Sequence, residues 1–137
     1  MRALVLDNEA VQALRDEGHR KHRQVVAHLA GIVVRRRRGR EVSALVPTSV
    51  RVEAGWDRTH SAAAAMNRLR IADHELDAST SNVAAAITSS LAGVSVADAH
   101  IGAAVRALAH DEVVVLTSDP KDMARVAGNR PVRTIHV

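Results

Sequence analysis

Two aliphatic runs without polar alternation, residues 2–6 and 113–117, constrain the fold of this chain more than any other feature, and each is followed within two residues by an aspartate. A strand that covers one face of a sheet alternates apolar and polar positions. A strand reading Ala-Leu-Val-Leu or Val-Val-Val-Leu is buried on both faces, as in a parallel sheet clad by helices. Between these runs the pattern changes period. Asn8 can cap a helix over 9–16, and Gly18 breaks the chain before a second helix in which Val25, Val26, Leu29, Ile32 and Val33 form an apolar stripe. Residues 42–46 read as a strand closed by Pro47, and Thr48 or Ser49 can cap a helix reaching Trp56. The alanine-rich stretch 61–92 offers helix starts at Ser61 and at Ser79, Thr80 and Ser81, with Gly93 as an end. Ser95 opens a further helix through Ile101, Val105 and Leu108, Asp119-Pro120 starts a short one ended by Gly128-Asn129, and 132–137 is a last strand. Strands alternating with helices predict an α/β three-layer sandwich with a central, mainly parallel sheet.

At 137 residues the chain is expected to be one domain over 1–137, with neither repeat nor linker. The absence of cysteine excludes disulfide frameworks, thiolate zinc sites and cysteine nucleophiles. Trp56 is the only aromatic residue, which excludes a base-stacking platform for single-stranded nucleic acid. The longest apolar stretch, 25–34, is interrupted by His28 and falls well short of a membrane span of roughly 20 residues. The start shows no signal peptide, so a soluble, cytoplasmic protein is expected. Charge is unevenly placed: residues 1–40 hold ten Lys/Arg against four Asp/Glu, and the rest nine against eleven. Such a split suits a polyanionic partner for the first part and metal or acid chemistry for the second.

In parallel α/β sheets the working site lies beyond the carboxyl ends of the strands, where strand order reverses. Four carboxylates fall at such positions: Asp7, Glu53, Asp98 and Asp119. Each has a plainer use, Asp7 in a turn, Asp98 in a capping box with Ser95, Asp119 as an N-cap before proline, Glu53 on a solvated helix face. Together they form an oxygen-only set that suits a hard cation such as Mg²⁺ or Mn²⁺, because converging carboxylates need a counter-charge.

The stretches Leu-Val-Leu-Asp-Asn, Pro-Thr-Ser-Val-Arg-Val-Glu, Val-Ala-Asp-Ala-His-Ile-Gly-Ala-Ala and Val-Leu-Thr-Ser-Asp-Pro-Lys-Asp resemble, in order and spacing, the acidic motifs of PIN-domain ribonucleases, most closely the VapC-type toxins of bacterial toxin–antitoxin pairs. The resemblance spans the chain from Leu4 to the last strand and is most specific at 98–104 and 117–119. It implies a Mg²⁺-dependent endoribonuclease (Mn²⁺ being an alternative ion), with Asp7, Glu53, Asp98 and Asp119 as metal-binding and catalytic acids. Asp122, Thr117, Ser118 and Asn8 would be accessory residues. Asn8 stands where the family often has a small hydroxyl residue, and Met123 where an aromatic is frequent. The resemblance also implies an RNA substrate, a VapB-type antitoxin partner, a homodimer and no membrane association. A bound metal would activate water against a phosphodiester, and an unliganded carboxylate would orient that water.

Arg35, Arg36, Arg37, Arg38 and Arg40, with Arg20, Lys21 and Arg23 nearby, can grip RNA phosphates or simply complement a helix carboxyl end. His19 and His22 share helical spacing but lack further ligands at a zinc spacing. His100 can face the site, though surface or capping use is the plainer reading. Two other classes stay open: a PIN-like interaction module of weak activity, and a Mg²⁺-dependent phosphatase or phospho-receiver, for which Asn8-Glu9 lacks the second aspartate of an Asp-x-Asp nucleophile motif.

Overall fold

A computed structural model describes residues 2–137. Five strands form one parallel sheet: β1 (Arg2–Leu6), β2 (Val42–Pro47), β3 (Ile71–His74), β4 (Glu112–Thr117) and β5 (Arg133–His136), in the order β3-β2-β1-β4-β5. The central strands β1 and β4 are buried almost throughout, as their unalternated sequences require.

Seven α-helices connect them: α1 (Asn8–Arg15), α2 (His22–Arg37), α3 (Thr48–Ala54), α4 (Ala64–Asn67), α5 (Ala78–Ser90), α6 (Val96–Ala107) and α7 (Pro120–Ala127). From β1 the chain steps outward through β2 to β3, then returns to the far side of β1 for β4 and β5. Right-handed crossovers in opposite directions place the two groups of helices on opposite faces of the sheet. Accordingly α1 packs on α2 and α3, while α6 packs on α5 and α7, giving the expected three layers, and α3 also touches α6. Gly102 permits the tightest of these contacts. A Cβ at that position would stand 2.6 Å from the Val126 carbonyl oxygen, so only glycine lets α6 lie this close to α7.

Several local expectations are corrected. Asp7, not Asn8, caps α1, its Oδ1 accepting from the Ala10 N–H at 2.8 Å. Thr48 and Ser49 do not cap α3; they are its first residues, the helix follows Pro47 directly, and it ends at Gly55 before reaching Trp56. Asp77 rather than a hydroxyl residue caps α5, accepting from Thr80 N–H at 2.8 Å. The stripe on α2 is narrower than its valines suggest, because Val25, Leu29 and Ile32 are buried while Val26 and Val33 are exposed. Strand β3 interrupts the alanine-rich stretch; only Ile71 of its four residues is buried, so this edge strand carries no aliphatic run. Trp56 is a core residue under Arg58 and Arg51, whose guanidinium carbons lie 4.3 and 5.8 Å from its ring and which both pair with Asp73. Among the described residues, no helix is long and apolar enough to cross a membrane.

Candidate active site

Strand order reverses between β1 and β4, so the carboxyl ends of these two strands frame the crevice where α/β proteins bind ligands. Asp7 follows β1 directly. Its backbone N–H donates to Leu116 O of β4 at 3.1 Å, and its carboxylate is buried in the seam. Oδ1 accepts from Ala10 N–H, and Oδ2 accepts from Ser118 N–H at 3.1 Å. The buried Thr117 hydroxyl also bonds this carboxylate, and it accepts from Asp119 N–H at 2.9 Å. Thr117 and Ser118 thus fix the position of Asp7 from the neighbouring strand.

Asp98 stands in the first turn of α6, half-buried, where its N–H donates to Ser95 Oγ at 3.1 Å. Asp119 caps α7, its Oδ1 accepting from Asp122 N–H at 3.1 Å, and Asp122 pairs with Arg125 at 3.1 Å. The capping use read from the sequence is real for Asp119, and Asp7 caps a helix where a turn was expected, so two carboxylates beside the crevice also start helices.

Electrostatics links these acids in pairs. Burial raises the Asp7 carboxyl above the usual range against the opposing hydrogen bonds from Ala10, Thr117 and Ser118, and the charge of Asp98 adds to the rise. Burial likewise raises Asp98; the Ser95 hydroxyl opposes the shift, while Asp122 and Asp119 add to it. Asp98 is therefore the hub, within electrostatic reach of the other three aspartates. Glu53 is placed differently. It is exposed on α3 beside a shallow groove of about 400 Å³ shared with Ser49, Val52, Leu76, Val96 and Ala97, and it makes no hydrogen bond or ion pair among the described residues. Val52 and Val96 on this rim are 82% and 63% exposed, an apolar edge against the acids.

The donor set fits a hard cation in chemistry: it is all oxygen, it holds two carboxyls raised by burial and mutual repulsion, and the Asn8 Oδ1 next in sequence to Asp7 is buried without a partner. Among the described residues, no three Asp, Glu or His side chains already stand close enough to enclose an ion. Asp7, Asp98 and Asp119 would be the ligands, with Glu53 the farthest removed in setting.

One feature of the site has little signal in the sequence. His100, two residues after Asp98, is wholly buried rather than at the surface or in a cap. Its Nδ1 lies 2.7 Å from Ser49 Oγ and its Nε2 3.2 Å from His74 Nδ1. Burial, with the charge of His74 adding to it, pushes its pKa down to about 4 against the opposing Glu75 carbonyl and Asp77. The neutral ring satisfies both contacts when Ser49 Oγ–H donates to Nδ1 and Nε2–H donates toward His74. This chain ties α3, which carries Glu53, to α6, which carries Asp98, and to the end of β3.

The arginine run lies elsewhere. Arg35, Arg36 and Arg37 end α2, and Arg38 and Arg40 lead into β2, so all five sit at the amino-terminal edge of the sheet, opposite the acids. His19 bonds Glu9 at 3.2 Å and His22 bonds the Ala13 carbonyl at 2.8 Å, local uses that leave no zinc geometry.

No protein-family model matches the chain, and no curated protein matches it in sequence. Among solved structures, a chain of VapBC2 from Rickettsia felis, in a complex bound to a DNA fragment from the promoter, superposes with a TM-score of 0.58 at 11% identity, covering 97% of this chain and 98% of that one. What the two share is the fold, and the PIN-like sandwich expected from the motifs is the architecture observed.

Proposed function

We propose that this chain is a metal-dependent endoribonuclease of the VapC type, the toxin of a toxin–antitoxin pair. The observation that carries the reading is the placement of Asp7, Asp98 and Asp119 around the one point where strand order reverses, on a fold shared with a chain of a VapBC complex. Asp7, buried and oriented by Ala10, Thr117 and Ser118, would be the fixed ligand of Mg²⁺ or Mn²⁺. Asp98 would share the charge, and Asp119 would hold its second oxygen toward the crevice while the first caps α7. When bound, the metal supplies charge neutralisation at the scissile phosphate and lowers the pKa of an attacking water. Glu53, unpaired and exposed beside the groove, would be the candidate to orient water or take up a proton, since it is the one acid of the set with no partner to hold it. The apolar rim of Val52, Leu76 and Val96 suits a VapB-type antitoxin segment covering the acids, and a homodimer is part of the same reading.

A second reading has one observation in its favour. The aspartates do not form a closed three-ligand cluster, as expected of a PIN-like interaction module with weak activity.

The deciding experiment is cleavage of total RNA by purified protein with Mg²⁺, wild type beside Asp98→Asn, with cleavage sites mapped. Loss of about a thousandfold is expected, the scale on which electrostatic stabilisation of a transition state is measured. Equal cleavage by the folded variant would refute the assignment; a folded wild type that cleaves no RNA would leave the interaction module.

A further inference from the structure

We propose that the amino-terminal edge of the sheet is a second, metal-independent RNA contact, a phosphate-binding surface centred on Arg37, Arg38 and Arg40. The choice of RNA as ligand rests on the ribonuclease reading; the surface itself rests on how the arginines at this edge divide into two sets.

The first set is engaged within the fold. Arg36 Nε donates to the Val42 carbonyl at 3.0 Å, Arg106 Nε donates to the Val126 carbonyl at 3.0 Å, and Arg130 donates to the His110 carbonyl. Arg2 and Arg133 both pair with Glu112, at 2.8 and 3.8 Å. These arginines close helix ends and strand starts. The second set is surplus. Arg37, Arg38 and Arg40 are exposed, and their side chains make no hydrogen bond or ion pair among the described residues.

The helix dipole does not account for them. The end of α2 carries the equivalent of about half a negative charge, which one or two cations would complement. Five arginines stand within Arg35, Arg36, Arg37, Arg38 and Arg40. Three exposed guanidinium groups and the half-buried Arg35 around one helix end leave a local surplus of positive charge, offset only in part by Glu41 in the groove that Arg35 and Arg40 line, which a polyanion would neutralise. Arginine's planar fork matches phosphate oxygens in pairs, and the only aromatic residue is buried, so contact through phosphate rather than base stacking is the mode this surface allows.

The position of the surface bears on substrate class. Strand β4 runs six residues from this edge to the acidic one, a separation of about 20 Å at about 3.3 Å per residue. A strand stacked at about 3.4 Å per phosphate would hold roughly six nucleotides between the two edges, and a more extended strand fewer. The substrate class is therefore an RNA long enough to reach from one edge of the sheet to the other rather than a mononucleotide or dinucleotide.

The test measures binding of polyuridylate by full-length protein in EDTA, across a salt series, for wild type, for Arg37→Gln/Arg38→Gln/Arg40→Gln, for the corresponding triple lysine variant, and for Asp98→Asn. The glutamine variant is expected to lower the slope of log K against log salt by about 2, at about 0.7 per lost phosphate contact. The lysine variant and Asp98→Asn are expected to keep the wild-type slope. An unchanged slope in a folded glutamine variant would overturn the surface, as would equal loss of binding to polyglutamate, which would mark a site for an acidic protein. Cleavage by wild type with Mg²⁺, scored separately, tells the two ideas apart: cleavage with an unchanged slope removes only the arginine surface, and a lowered slope without cleavage removes only the nuclease.

Discussion

The two edges of the same sheet concentrate opposite charges by opposite means. At the carboxyl edge Asp7 and Asp98 are drawn out of water and toward one another, so their charged forms are disfavoured until something positive arrives. At the amino edge Arg37, Arg38 and Arg40 stay in water, unpaired, at little cost of desolvation. Buried charge converging at a strand reversal is poised for an ion held in a fixed place. Exposed charge around a helix end is poised for a diffuse polyanion whose register is loose.

The sharpest way to separate the edges is by what stabilises each. Mg²⁺ should stabilise the fold through the acids by about 3–4 kcal/mol at a hundred to a thousand times its dissociation constant, read as a raised melting temperature. Asp98→Asn should abolish that response, and in EDTA should melt above wild type, because it removes a half-buried charge that Asp122 and Asp119 oppose. The glutamine variant at Arg37, Arg38 and Arg40 should leave the Mg²⁺ response intact. Calorimetric melting checks all three, and a Mg²⁺ response that survives in Asp98→Asn breaks the comparison at its acidic end.

Acid titration gives the next largest effect and sets neighbours on α6 against each other. His100 has a folded pKa of about 4 against 6.5 unfolded, so the unfolded chain binds the proton first. Its contribution is complete above pH 6.5 and is lost as pH falls through that value toward 4, up to about 3 kcal/mol. Asp7 and Asp98 act with the opposite sign. Their folded pKa values lie above 3.8, so stability is highest when they are protonated and falls as pH rises through the raised values. Wild type should therefore lose stability between pH 6.5 and 4 less steeply than His100 alone dictates. Asp98→Asn should steepen that loss, and a flatter profile in Asp98→Asn would contradict the assignment of these shifts.

How much of this was legible in the sequence follows burial. Strands β1 and β4 announce themselves because both their faces are covered, leaving unbroken aliphatic runs. Strand β3, an edge with one buried side chain, has nothing to announce. Asp7, Asp98 and Asp119 could be picked out because each closes a strand or opens a helix, positions fixed by local pattern. The link from Ser49 through His100 to His74 joins residues 51 and 26 positions apart, and no local periodicity encodes a contact of that range. The charge split along the chain was visible too, but how far apart its two parts lie in the fold was not. A parallel strand carries the chain from one edge to the other in a few residues, so Arg2 and Asp7 stand at opposite ends of the sheet.

Gly102 tests the packing that holds the acidic edge together. Gly102→Ala places a methyl group 2.6 Å from Val126 O and 2.8 Å from Val126 Cβ, contacts that backbone must give way to. Forcing α6 from α7 is expected to cost about 2 kcal/mol, in the range of overpacked cores. It should also weaken the Mg²⁺ response by spreading Asp98 from Asp119 and Asp122, while leaving RNA binding in EDTA at the wild-type salt slope. An unshifted melting temperature would mean that the close approach of α6 and α7 does not constrain the site.

The smallest effect concerns the division of labour among the arginines. Arg36→Gln removes the donor to the Val42 carbonyl that joins the end of α2 to the start of β2, and is expected to cost about 1 kcal/mol, the net value of one such hydrogen bond. Arg37→Gln removes an exposed side chain without a partner and should change stability by no more than about 0.5 kcal/mol. Denaturant melts of the two single variants measure this difference directly. If Arg37→Gln proves as costly as Arg36→Gln, the run is a structural clamp throughout, and no surplus of positive charge is left at that edge for a polyanion to neutralise.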